Sequence, residues 1–230
     1  MSETINVGTI EQLISYAKHG LKDVQLWHPQ EIPTPKLVEF AKATNDCETL
    51  ENLGFFRCSF TIEQLKTLCA GLNPNLRHLL FQLCHVGDQG SLHIAEILKK
   101  PTCKLYRLII SDDTVGDLGV DYLAKALEIN TSLKLLYLTD NRITDTGCQS
   151  LLQMLQVNSS LEQIKLVGNS EVSENMNKKL ASICSLVSLR KDWQRILTLC
   201  QVSIHRLSRK ANIQAFPTEI YRKIKEMLCG

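Results

Sequence analysis

An α/β solenoid, made of parallel strands each followed by a helix, is the fold class this sequence predicts. Three observations predict it. Within Leu133–Ser160 the apolar spacing changes from a period of two to a period near 3.6 inside 28 residues. Copies of that stretch recur along the chain at intervals of 26–29 residues. One copy alone would leave its apolar side in water, so the copies must lie against one another.

The elements follow in order. Residues 1–8 are expected to be frayed. Thr9 with Gln12 forms a capping box, and Ile10, Leu13, Ile14 and Ala17 give a helical stripe ending near Gly20. That helix is expected to cap the first strand, which is placed at residues 23–27 in a degenerate copy begun by Leu21, Val24 and Leu26. The Pro29–Pro35 stretch interrupts the pattern, and Thr34 is expected to cap a helix with Pro35 at its first position. From Leu50 the array is regular. Leu50, Leu53, Phe55, Cys58 and Phe60 open one copy; Leu76, Leu79, Phe81, Cys84 and Val86 the next. Leu105, Leu108, Ile110, Asp113 and Val115 follow, then Leu133, Leu136, Leu138, Asn141 and Ile143, then Leu161, Ile164, Leu166 and Asn169. The predicted strands are 52–56, 78–82, 107–111, 135–139 and 163–167, with the first at 23–27 making six.

These residues match L-x-x-L-x-L-x-x-N/C-x-L, and the chain resembles the ribonuclease-inhibitor-like leucine-rich repeats over residues 21–188. The resemblance implies a horseshoe with parallel concave strands, convex helices and helical caps at both ends. It divides the chain into a capping helix (1–20), six repeats (21–188) and a basic helical cap (189–230). It also implies a non-enzymatic scaffold that binds another protein on its concave face. Short arrays of this kind resemble effectors that intracellular bacteria send into host cells, although no secretion signal is legible here.

Two recurring motifs read as structure. GDQG (87–90), GDLG (116–119) and TDTG (144–147) share one column, where every copy must turn into a helix; a phosphate loop would not recur at the repeat period. Cys58, Cys84, Asp113, Asn141 and Asn169 share another, where an inward side chain bonds the turning backbone. Cys84 beside His85 has no further ligand at metal spacing, so no metal and no cofactor are expected.

The sixth copy decays at Gly168–Val172. Beyond it Trp193, Ile196, Leu197, Cys200, Ile204 and Leu207 lie on one helical face, expected to close the array with Trp193 as anchor. Residues 216–228, FPTEIYRKIKEML, are read as a last capping helix. They also resemble an F-box entry, which gives the alternative of a ubiquitin-ligase substrate receptor.

Composition bounds the rest. Hydrophobic residues make up 44% and charged residues 22%, and no apolar run reaches the length of a membrane span. Nine cysteines without a C-x-x-C pair suit reduced thiols and a cytoplasmic setting, the host cytosol for a secreted effector. Residues 189–230 hold nine Lys/Arg against three Asp/Glu, yet lack the interleaved aromatics of single-strand nucleic-acid binders. A monomer is expected. No nucleophile, dinucleotide or phosphate motif is present, so no catalytic residue is proposed.

Strand alternation names the binding surface. The leucines point inward, leaving Phe56, Leu80, Ile109, Leu135 and Tyr137 to form an apolar strip on the concave face. Trp27 stands at its N-terminal end, with His78 and Arg107 at its margin.

Overall fold

The apolar columns read from the repeats are the register of the sheet. In the computed structural model, which describes residues 4–27 and 32–184, seven parallel strands pair in strict chain order. They are β1 (Ile5–Val7), β2 (Asp23–Trp27), β3 (Asn52–Phe56), β4 (His78–Gln82), β5 (Arg107–Ser111), β6 (Leu135–Tyr137) and β7 (Gln163–Lys165). Between them run α1 (Ile10–Lys18), α2 (Thr34–Asn45), α3 (Ile62–Gly71), α4 (Gly87–Leu98), α5 (Asp117–Leu127) and α6 (Asp145–Val157). A further helical stretch starts at residue 174. Leu53, Leu79, Leu108, Leu136 and Ile164 stand opposite one another across consecutive strands, as the repeat spacing requires.

Burial follows the alternation. Phe55, Phe81, Leu108, Ile110, Leu136 and Leu138 are fully buried between sheet and helices, as are Leu65, Leu68, Ile94, Leu123, Leu127 and Leu151 from the helices. Phe40, Phe55, Phe60 and Phe81 form one aromatic cluster, with Phe55 and Phe81 stacked at 5.3 Å.

The structure corrects three expectations. Ile5–Val7, placed in a frayed end, pair with Val24–Leu26, making seven strands rather than six. Val7 is buried, and three residues carry too little periodicity to show in sequence. β6 and β7 span three residues each, two fewer than predicted, although Leu138 N–H still bonds Lys165 C=O at 2.8 Å and Asp140 N–H bonds Val167 C=O at 2.8 Å. Thr34 is the first helical residue of α2 rather than its cap; Pro33 holds the capping position and offers no side-chain bond. The capping boxes at Thr9/Gln12 and Thr61/Gln64 are both formed. The 189–230 cap, with Trp193 and the 216–228 segment, lies outside the described residues.

Each strand leads into a turn held from inside. Cys58 Sγ donates to Leu26 C=O, and Cys84 Sγ to Phe55 C=O at 3.2 Å. Asn141 Nδ2 donates to Ile110 C=O at 2.8 Å, and Asn169 Nδ2 to Leu138 C=O at 2.8 Å. The same amides accept as well: Asn141 Oδ1 takes the N–H groups of Asp113 and Val115, and Asn169 Oδ1 that of Ile143. These rungs tie each repeat to the one before it.

A second set of ties escaped the sequence reading. In the GDxG-type motifs the aspartate caps the following helix. Asp88 Oδ1 accepts from Gly116 N–H at 2.7 Å and Gly119 N–H at 2.9 Å. Asp117 Oδ1 accepts from Thr144 N–H at 2.8 Å and Gly147 N–H at 3.0 Å, and Asp145 Oδ1 from Ser173 N–H at 2.8 Å. Anions at helix N-termini are favoured by the exposed N–H groups there. Gly147 is required for the approach: a Cβ on it would stand 2.5 Å from Asp117 Oδ1. The recurrence of aspartate at the repeat period was the available signal. Likewise Asn130 and Asn158, each three residues before the first leucine of a copy, donate to Leu98 C=O and Leu127 C=O.

Candidate protein-binding surface

The face of the sheet opposite the helices carries the residues that alternation leaves out of the core. The strand pairing sets them in columns: Asp23, Asn52, His78, Arg107, Leu135 and Gln163 in one, and Gln25, Gly54, Leu80, Ile109, Tyr137 and Lys165 in the next. Trp27, Phe56, Gln82 and Ser111 make a third. Seven of the eight predicted site residues, Phe56, His78, Leu80, Arg107, Ile109, Leu135 and Tyr137, are half-buried here, and Trp27 is 38% exposed.

The N-terminal end is aromatic. Trp27 and Phe56 stack at 4.0 Å with an interplanar angle of 4°. The indole Nε1–H donates to Asn6 Oδ1 at 3.2 Å and Gln25 Oε1 at 3.3 Å. Phe56 belongs to the third column and Leu80 to the second, so on register alone the predicted strip would break between them. Gly54 closes the break: a Cβ there would stand 2.9 Å from Phe56 Cε2, so the ring leans into the space a side chain would occupy. Leu80, Ile109 and Tyr137 then follow on consecutive strands, with Leu135 beside them.

The C-terminal end is polar. Tyr137 O–H donates to Gln163 Oε1 at 2.7 Å, and Lys165 Nζ stands 4.5 Å from the centre of the Tyr137 ring. Ser111 Oγ and Thr139 Oγ1 share a 2.8 Å hydrogen bond. At the margin, burial and the neighbouring charges of Arg107 and Arg77 hold the His78 imidazole below its ordinary pKa, so it is neutral at pH 7. Trp27–Phe56 stacking and the Gly54 gap were not legible in the sequence; both depend on side-chain direction rather than spacing.

Cys84 and His85 part company: Cys84 is fully buried in its rung, while His85 is exposed. Among the described residues no group of three or more His, Cys, Asp or Glu is placed to hold a metal ion. No helix among them is long and apolar enough to cross a membrane.

Comparison with known proteins agrees with this architecture. A family model described as Leucine Rich repeat matches residues 130–152. Over 119 residues the chain is 29% identical to NACHT, LRR and PYD domains-containing protein 7 of Homo sapiens, a match covering 51% of this chain and 12% of that protein. Over 89 residues it is 32% identical to NACHT, LRR and PYD domains-containing protein 9 of Bos taurus, covering 38% and 9%. The chain thus matches only about a tenth of the length of these curated relatives. Among solved structures, the tropomodulin C-terminal domain of Caenorhabditis elegans superposes with a TM-score of 0.52 at 11% identity, over 81% of this chain and 98% of that one. Leiomodin-1 Actin-Binding Site 2 superposes with a TM-score of 0.53 at 16% identity, over 84% and 97%. At these identities the likeness is one of fold.

Proposed function

We propose that this leucine-rich repeat array is a non-catalytic scaffold whose strand face binds another protein. One observation carries the reading. Trp27, Phe56, Leu80, Ile109, Leu135 and Tyr137 form a half-exposed apolar strip on the side of the sheet opposite the described helices. Folding needs no such strip in water, and patches of this kind mark partner sites. Trp, Tyr and Arg, all present here, are favoured hot-spot residues.

A reducing, cytosol-like compartment is part of the proposal, supported by seven unpaired thiols among the described residues, six of them buried. Two narrower readings share the scaffold: a bacterial effector working in a host cell, and a ubiquitin-ligase substrate receptor recruiting through residues 216–228. A pull-down probed for the ligase adaptor separates the second from the general reading.

The test starts from affinity capture with the full chain. The captured protein is then titrated against wild type, Phe56→Ala and Tyr137→Ala. Each variant should weaken binding by more than ~1 kcal/mol while the melting temperature stays nearly unchanged. If both variants bind like wild type, or both unfold, the strand face is not the site.

A further inference from the structure

The strand face holds one hollow with oppositely charged ends. Beside Gly54, whose side-chain space Phe56 and Gln25 take up, a space of about 180 Å³ opens, bounded by Asn52, His78 and Leu80. Asp23 stands at one end and Arg107 at the other. The pairing register puts these two in one column three strands apart, roughly 14 Å at the usual strand spacing.

Neither charge is matched within the described residues. Asp23 Oδ2 accepts from Thr4 Oγ1 at 3.0 Å and Asn52 Nδ2 at 3.3 Å, but Asp23 Oδ1 is buried without a hydrogen-bond partner. Arg107 Nε is buried without one too, and no salt bridge includes either residue. His78 lies between them and is neutral at pH 7, so it balances neither. Polar atoms withdrawn from water without partners weaken a fold. Here two of them, of opposite charge, flank a hollow on the surface already read as the protein-binding face.

We propose that this hollow reads an extended segment of the partner protein bearing an acidic side chain for Arg107, a basic side chain for Asp23 and an apolar side chain between them. In an extended chain, alternate side chains share a face and residues rise about 3.3 Å each, so positions 1, 3 and 5 span roughly 13 Å. The segment therefore carries its acid and its base four residues apart, with the apolar residue midway, against Leu80. The opposed charges also set its direction across the strands. A phosphate-rich ligand is disfavoured, because Asp23 would repel it.

This proposal rests on the strand-face reading, and the experiment separates the two. A displayed library of random 12-residue linear peptides is selected against the full chain. Selected peptides should share an acid and a base four residues apart. A synthetic peptide of that kind should lose at least tenfold in affinity on Arg107→Gln. Asp23→Asn, which keeps a side chain able to bond Thr4 and Asn52, should relax the preference for the basic residue. The Asp23→Lys/Arg107→Glu double variant should prefer the peptide with its charges exchanged. Peptides that lose affinity on Tyr137→Ala but not on Arg107→Gln would overturn the hollow and leave the strand face standing. Peptides indifferent to all these variants, or no selected peptides, would overturn both.

Discussion

The two halves of the array solve the same problem with different chemistry. In the β2–β4 half the inner rungs are the thiols Cys58 and Cys84, the core is phenylalanine-rich, and α3 is capped by its own Thr61 and Gln64. In the β5–β7 half the rungs include Asn141 and Asn169, and α5 and α6 are capped by aspartates from the preceding repeat. The turn after each strand differs too. Its first residue has positive φ: Arg57 (53°) and Leu83 (55°) in the first half, Asp112 (56°), Asp140 (52°) and Gly168 (83°) in the second, with a second such residue at His85 (57°) in the first half and Thr114 (59°) in the second. Left-handed backbone strains bulky residues and suits Gly, Asn and Asp. At that first turn position the second half therefore meets the local demands of the repeat, and it couples neighbours through strong acceptors; the first half relies on packed rings. Fittingly, the family model matches at 130–152, inside the second half.

The comparison is broken most sharply at a rung. Asn141 makes four bonds, accepting from Asp113 and Val115 N–H and donating to Ile110 and Thr139 C=O. Asn141→Ala strands all four buried or half-buried groups and should cost about 3–5 kcal/mol in urea denaturation. Cys84→Ala removes only weak thiol bonds and a small volume, and should cost about 1 kcal/mol. Equal losses would mean that the two kinds of rung do the same work.

Asp113 sits where the halves meet, and its chemistry fits neither. Asp113 Oδ1 accepts from Cys84 N–H, but Oδ2 is buried with no partner, in the place where neighbouring rungs put a donor. Burial pushes its pKa up to about 6, against the pull of the Cys84, Val86 and His85 N–H groups and the nearby His85 ring. A raised carboxyl pKa means that the folded state holds the proton more tightly than the unfolded chain, whose value is about 3.9. The stabilisation is complete below about pH 4 and is lost as pH rises through about 6. Asp113→Asn supplies a donor at every pH. It should match wild type near pH 4 and exceed it by roughly 1–3 kcal/mol at pH 8, by denaturant melts at both values. A gap that does not widen with pH would show that Asp113 is not protonated in its rung.

A smaller gain should come from giving the first half a turn residue that, like those of the second, tolerates left-handed backbone. Leu83 holds φ 55° with its side chain 38% exposed, so Leu83→Asn gives up little buried surface. It should raise stability by about 0.5–1 kcal/mol. A loss would show that the leucine side chain contributes a contact worth more than the strain.

Most of this architecture was legible because it is periodic. Leu53, Leu79, Leu108 and Leu136 announce their register by spacing alone, and with it the strand-face columns. What spacing cannot carry was missed. β1 is three residues long, too short to show a period. The reach of Asp88 and Asp117 into the next repeat depends on side-chain direction across about 30 residues, and the lean of Phe56 over Gly54 on a rotamer that spacing does not report. The charges at Asp23 and Arg107 each look ordinary in sequence. Their lack of partners is a property of the assembled face.

The thiols give the finest comparison, because they report opening without changing stability. Cys58 and Cys84 are fully buried. A hydrogen bond with the neighbouring Cys58 thiol and burial both push the Cys84 thiol well above its ordinary pKa. Since the thiolate is the reactive form, alkylation needs the rung to open first. Cys103 is only half-buried, with Ser132 Oγ 3.7 Å from its sulfur. In native protein an alkylating reagent should therefore modify Cys103 first and leave Cys58 and Cys84 intact over the same interval; denaturant should release both. In a nearest-neighbour array, disturbance at one repeat is felt most by the repeat beside it. Asn141→Ala should thus hasten the Cys84 reaction more than the Cys58 reaction, as peptide mass mapping would resolve. Equal acceleration would mean that the two halves open as one unit, and rapid modification of both in the wild type would mean that the thiol rungs do not face inward.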